Sequence, residues 1–290
     1  MSPGRVADGG QLGARLPLVR ANYPPPSRRR RGLRQTRSVK TVLVIGIGAG
    51  DPDLVTAQAA RALDRTDVVF VLDKRDDVAD LALLRQQICD RYMTRPHRTV
   101  TAADPERDLR GRSYRSDVAA WHEQRVEIYE RFIRDELAEG ERGAFLVWGD
   151  PSLYDSTLRI LDQVAERRAT SFTVEVIPGI SSVQVLAARF GIALHRVAAP
   201  VHITTGRRLA EGWPAGVDDV VVMLDGRCAF ADVDPAGVTI YWGAYLGTAD
   251  EILVSGPLAE VAERIVRVRA EARARKGWMF DTYLLRRTPG

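Results

Sequence analysis

The chain has little cysteine and little histidine: two and four among 290 residues. Cys89 and Cys228 lie far apart and match neither a CxxC pair nor a metal-ligand spacing, so no metal is expected. Two free thiols fit a reducing cytoplasm. No stretch approaches the roughly 18 to 20 apolar residues that a membrane span needs. No apolar signal core precedes a small-residue cleavage site. No repeat of fixed period occurs. These absences exclude a disulfide scaffold and a zinc module, argue against a membrane protein, and point to a cytoplasmic location.

Charge is unevenly placed. The net charge is +4, but residues 1–40 hold ten Lys/Arg and one Asp, and the remaining 250 hold 32 basic and 37 acidic residues. The body is therefore mildly acidic. The tail, "ANYPPPSRRRRGLRQTR", lacks apolar periodicity and is expected to be disordered over residues 1–38. It reads as a nucleic-acid or membrane arm, a transit peptide or, as the favoured reading, a start assigned too far upstream, with the fold beginning at Val39 or Lys40.

From there strands and helices alternate. "KTVLVIG", "DVVFVLD", "GAFLVWGDP" and "FTVEVIPGISS" read as buried strands. Helices are expected over about 54–63, 77–93, 116–139, 153–168 and 183–190, and an Arg-rich loop over 94–115. This rhythm predicts a parallel sheet with helices on both faces. Beyond Pro200 the strand-like runs lie closer together, with one helix at about 257–274, as in a mixed α/β domain with hairpins. The fold class is therefore α/β with two domains, 39–200 and 201–290, and pockets belong at strand carboxyl ends and between the domains.

Three strands end in special turns: "GIGAGDPD", "VWGDPSLYDS" and "IPGISSVQ". In a parallel sheet they share one edge. The first resembles a dinucleotide loop, but Asp51 stands where the third glycine of G-x-G-x-x-G belongs. Two like charges about 4 Å apart cost on the order of 4 kcal/mol at an effective dielectric of 20, and Pro52 removes an amide donor. A carboxylate here suits a cationic ligand or no phosphate at all. Asp51 also reads simply as the cap of a helix start.

In this order and spacing, "GIGAGDPDLVT", "WGDP" and "PGISS" resemble the tetrapyrrole (uroporphyrinogen and precorrin) methylases, over residues 40–288. "FVLDKRDDVADLALLRQQICDRY" and "DVAAWHEQRVEIYERFI" resemble the branch that methylates precorrin-5 with release of acetate in aerobic cobalamin synthesis. The resemblance implies two α/β domains, S-adenosylmethionine in the cleft between them, and a homodimer. It carries the cofactor contacts onto Gly149, Asp150, Leu153, Ser181, Ser182, Met223 and Gly247. Ala49 replaces a proline that many relatives have in the first loop. Local readings stand beside these assignments: Ser181 and Ser182 as helix caps, Met223 as core, Asp150 as a turn former.

A polycarboxylate macrocycle calls for arginines, whose planar fork pairs with carboxylate. Arg98, Arg112 and Arg115 of the Arg-rich loop are the candidates, with a solvated loop as the alternative; Asp51, near Asp73 in this topology, is a further substrate-binding candidate. Removing an acetyl group needs a base, and Asp73, at the end of the second strand, is the candidate. Three rivals remain: a relative acting on another precorrin or on ribosomal RNA, which the acidic body disfavours; a nicotinamide oxidoreductase, which Asp51-Pro52 disfavours; and a non-enzymatic binding module using the basic tail.

Overall fold

The computed structural model describes residues 39–73, 79–105 and 114–288. The basic tail and Arg112 lie outside the described residues, and so does the expectation of disorder. The first half builds a parallel sheet from β1 (Lys40–Gly46), β2 (Val68–Asp73), β3 (Arg98–Ala103), β4 (Arg142–Val147) and β5 (Phe172–Ile177). Its strand order is β3-β2-β4-β1-β5, and every pairing is parallel.

The apolar runs of the central strands follow from burial on both faces. Val42 and Val44 of β1 pack with Val126, Tyr129, Phe132 and Ile133 of α3 (Tyr114–Asp135) and with Ile160 and Val164 of α4 (Thr157–Arg167). Leu43 and Ile45 face the other way, onto α1 (Ala57–Asp64) and α2 (Ala79–Tyr92). The residues expected to form one long loop over 94–115 include β3, paired in parallel with β2 at the sheet edge. Its sequence, RTVTAA, is largely exposed. Only Val100 and Ala102, on one face, pack against the core, so no apolar run announces this edge strand.

The second sheet holds β6 (Val201–Thr205), β7 (Asp219–Met223), β8 (Val238–Ala244), β9 (Ile252–Pro257) and β10 (Asp281–Arg287), ordered β6-β7-β10-β8-β9. Only the β6–β7 pairing is parallel. A four-residue helix, α6 (Gly206–Leu209), follows β6, and α7 (Leu258–Lys276) follows β9. Helix α5 (Ser182–Phe190) follows β5 but packs on the second sheet: Val183 and Leu186 meet Val221 of β7 and Leu284 of β10. It joins the two sheets through a common apolar cluster. Among the described residues no helix is long and apolar enough to cross a membrane.

Lys40 opens β1 with its side chain buried, and its Nζ donates to the carbonyls of Ile133 and Arg134 at 2.9 and 2.8 Å. A cation at these carbonyls near the helix end satisfies acceptors that α3 leaves open and meets the negative end of its dipole. Lys40→Met keeps the stem and removes the donor. It should lower the unfolding free energy by about 1–2 kcal/mol, read as a reduced urea midpoint at unchanged slope.

Candidate functional site

The parallel strands deliver their turns to one edge, and three of these turns meet through backbone. Gly48 and Gly149 form an isolated bridge, with the Gly149 N–H donating to the Gly48 carbonyl at 2.8 Å. A Cβ on Gly179 would sit 2.0 Å from the Gly149 oxygen, and one on Gly46 would sit 2.6 Å from the Gly179 nitrogen. Gly50, at φ +140°, leaves no room for a side chain between itself and Thr248. Gly46, Gly50 and Gly179 are thus required by the close contacts their turns make.

Asp150 fastens the second turn to the third. One carboxylate oxygen accepts the Gly179 N–H at 2.9 Å; the other accepts the Ser152 N–H at 2.9 Å and the Ser152 hydroxyl. Burial raises its pKa, but these bonds to the charged form prevail and hold it below the ordinary 3.8. Ser181 is the N-cap of α5 in a capping box with Gln184. The Ser182 hydroxyl meets that of Thr282 on β10 at 2.8 Å, linking the two sheets.

Between the sheets, beyond these turns, lies a cavity of about 580 Å³. Gly149, Asp150, Leu153, Ser181, Ser182 and Met223 all line it. The local readings of Ser181 and Met223 also hold: Ser181 caps α5, and Met223 packs in the apolar cluster around that helix. Gly247 is not among the lining residues. At φ +77° it packs against Leu54 and Asp51 of the first loop, and its N–H donates to Glu251 at 2.8 Å. Thr248, next to it, reaches the cavity.

The remaining candidates are placed elsewhere. Asp51 is the N-cap of the short 3-10 turn Pro52–Leu54, accepting the Asp53 N–H at 2.8 Å, and does not line the cavity. Arg98 begins β3, at the end of the sheet opposite the three turns. It donates to both oxygens of Glu141 at 2.8 and 2.7 Å and to the Glu136 carbonyl at 2.5 Å. The parallel register, hidden while β3 reads as loop, puts it there. Arg115 lies in the first turn of α3, and Arg112 falls outside the described residues. Asp73 ends β2 on the same edge as the turns, with β4 between its strand and β1; it is exposed and does not line the cavity.

Sequence reasoning missed the second wall. Asp225 accepts the Tyr283 hydroxyl at 2.6 Å and the Ala229 N–H at 2.7 Å, while its carbonyl accepts from Arg269 at 2.5 Å. Arg269 also donates to Asp281 at 2.8 Å, and Trp242 shares that oxygen at 3.0 Å. Burial raises the Asp281 carboxyl, with Arg269 and Trp242 opposing, and burial beside Asp225 raises the Tyr283 phenol. This network fixes the turn after β7, where Leu224, at φ +53° and 61% exposed, faces the cavity. Trp278 and Phe280 complete the wall, anchored by Tyr245, whose hydroxyl donates to the Trp278 carbonyl at 2.7 Å. The aromatic run after Gly277 was the available signal. Nothing in the Arg-rich sequence of α7 separates Arg269 from its neighbours.

Residues 41–262 match the family model "Tetrapyrrole (Corrin/Porphyrin) Methylases". A "Precorrin-6A synthase [deacetylating]" from Sinorhizobium sp is 50% identical over 250 residues, covering 86% of this chain and 96% of the relative. The crystal structure of a cobalamin synthesis related protein (CobF) from Corynebacterium diphtheriae superposes with a TM-score of 0.74 at 38% identity, covering 87% of this chain and 100% of that one. A uroporphyrin-III C-methyl transferase from Thermus thermophilus, complexed with S-adenyl homocysteine, shares the fold at a TM-score of 0.53 and 21% identity, covering 84% and 96%.

Two outcomes test the geometry. Gly179→Ala forces a methyl group into the Gly149 carbonyl, so it should cost about 1–3 kcal/mol of stability and weaken any ligand of the cavity, seen by calorimetry. For Asp150, whose pKa is lowered on folding, the stabilisation is complete above the ordinary value of 3.8 and is lost as pH falls through the folded value. Asp150→Ala should therefore lower the melting temperature at neutral pH and narrow its gap from the parent below pH 3.8.

Proposed function

The chain belongs to the tetrapyrrole (corrin/porphyrin) methylases, and on that footing we propose that it is an S-adenosylmethionine-dependent C-methyltransferase of cobalamin biosynthesis that methylates precorrin-5 with release of acetate. The observation that carries the finer reading is the likeness to the Sinorhizobium precorrin-6A synthase along nearly its whole length. A cytoplasmic homodimer belongs to the same reading.

The cavity suits the cofactor on chemical grounds. Leu153, Met223 and Leu246 give apolar surface, and the lining carboxylates Asp150, Asp155, Asp225 and Asp281 outnumber the guanidiniums of Arg269 and Arg273. That combination favours a cation with an apolar body. When bound, S-adenosylmethionine supplies a methyl group already activated on a sulfonium. Gly149, Asp150, Leu153, Ser181, Ser182 and Met223 would hold it. The task of these residues is positioning, which can lower a barrier by several kcal/mol, up to about 7–11 in the best-oriented systems. Their rigidity follows from the capping box, the Asp150–Gly179 bond and the Ser182–Thr282 pair.

Loss of the acetyl group requires water or an enzyme oxygen to add to its carbonyl, and a base to take the proton. Asp73 is our candidate, on the same sheet edge; its carbonyl accepts the Asp104 N–H at 2.9 Å, and its carboxylate has no hydrogen-bond partner among the described residues. Asp73→Asn keeps the shape and removes the base. Turnover of precorrin-5 to a methylated, deacetylated product should fall by roughly 10²- to 10⁴-fold, while calorimetric binding of S-adenosylhomocysteine stays unchanged. Unchanged turnover would remove Asp73 from this role; no turnover by the parent chain would remove the precorrin-5 reading.

A further inference from the structure

Arg273 stands in the last turn of α7, where that helix borders the cavity. It lines the cavity and is also exposed to solvent, whereas Arg269, one turn earlier on the same helix face, lines it from a buried position. A side chain that meets both the cavity and bulk water lies at the mouth. Among the described residues these two arginines are the guanidiniums of the lining. Arg269 is committed to Asp281 and to the Asp225 carbonyl. Arg273 closes the helix through its backbone, its carbonyl accepting the Gly277 N–H at 2.9 Å, and that bond leaves the guanidinium out. An ion pair at such exposure is weak, so the fork can turn to a ligand.

The neighbourhood suits one kind of ligand. Gly277, left-handed at φ +78°, turns the chain from α7 directly into Trp278, Met279 and Phe280, all of which line the cavity. Phe280 keeps half its surface open there. Apolar and aromatic surface beside a guanidinium matches a flat ring with carboxylates on its edge: the ring packs on the wall, and the fork takes an edge carboxylate. In the buried part of the same wall Asp225 and Asp281 outnumber Arg269, which disfavours a further negative charge there. A polyanionic macrocycle is thereby recognised at the mouth. The cofactor offers one carboxylate, next to its own ammonium, and has less need of this group.

We infer that Arg273 is a substrate-recognition residue at the mouth of the cleft, pairing with a peripheral carboxylate of the tetrapyrrole while the ring packs against the Trp278–Phe280 segment. The inference rests on the substrate reading above and moves the recognition charge from the Arg-rich loop to α7.

The test uses the full chain and uroporphyrin, a stable polycarboxylate tetrapyrrole, followed by quenching of tryptophan fluorescence and by calorimetry. Arg273→Met should weaken uroporphyrin binding roughly 10-fold, and Arg273→Lys by less. With precorrin-5 the same factor should appear in KM, with kcat little changed. Binding of S-adenosylhomocysteine and the melting temperature should not move, since the group is exposed. Arg267→Gln removes an equal charge from an exposed position of α7 outside the lining, and should bind uroporphyrin like the parent. The inference fails if the parent does not bind uroporphyrin, or if Arg273→Met binds it equally well. It fails too if Arg267→Gln is weakened as much, which marks a general effect of charge. Weakening of S-adenosylhomocysteine by Arg273→Met as great as that of uroporphyrin also overturns it, by assigning the group to the cofactor's carboxylate or to the fold. If Arg273→Met does not fold, unchanged binding by Arg273→Lys overturns the inference and weakened binding supports it. A parent that binds uroporphyrin through Arg273 but does not turn over precorrin-5 would retire the substrate reading alone.

Discussion

The site depends on one steric constraint: three strand ends come so close that their backbones touch. The Gly149 carbonyl occupies the place where a side chain at position 179 would be, and Gly46 is pressed against the same two turns. Only glycine allows this. Once the turns interlock, the carboxyl ends of β1, β4 and β5 are held in mutual register, and the hydroxyl and carboxylate groups they carry have fixed addresses. Asp150 needs little freedom to find the Gly179 N–H. The glycine pattern that resembles a phosphate loop in the sequence is thus a packing device, and its carboxylate, Asp51, caps a turn behind it.

The opposite wall is held by different physics. There the turn after β7 is fixed by buried polar groups: Arg269 donates to the Asp281 carboxylate and the Asp225 carbonyl, Trp242 donates to Asp281, and the Asp225 carboxylate accepts from Tyr283 and from the Arg227 and Ala229 N–H groups. Such a network is costly to desolvate and costly to break, so it adds definition more than net stability. It holds Leu224 in a left-handed backbone that a leucine adopts only under constraint. One side of the cavity is therefore rigid because side chains are absent, and the other because polar side chains are fully paired.

What could be read from the sequence follows from this difference. Strands β1 and β4, buried on both faces, announce themselves by continuous apolar runs, and the turns by glycine, proline and aspartate. From them the parallel sheet and its functional edge follow. Six of the cavity-lining residues were reached through the family resemblance, five of them in those turns and the sixth, Met223, at the end of β7. Strand β3 was not legible, since a mostly exposed edge strand has little pattern to show; Arg98 read as part of a loop, whereas it begins that strand at the end of the sheet away from the turns. Arg269, Asp281 and Phe280 were not legible as site residues. Their position depends on β10 inserting between β7 and β8, a long-range pairing that leaves no local trace.

The pair formed by Ser182 and Thr282 bears on how far the cleft can open. It spans the two sheets at the rim of the cavity, close to the contact between Gly50 and Thr248 and to the apolar cluster around α5. A hinge motion that parted the sheets would expose that cluster and strand both hydroxyls at once. A ligand of the cleft must therefore either fit beside the closed Ser182–Thr282 pair or break it.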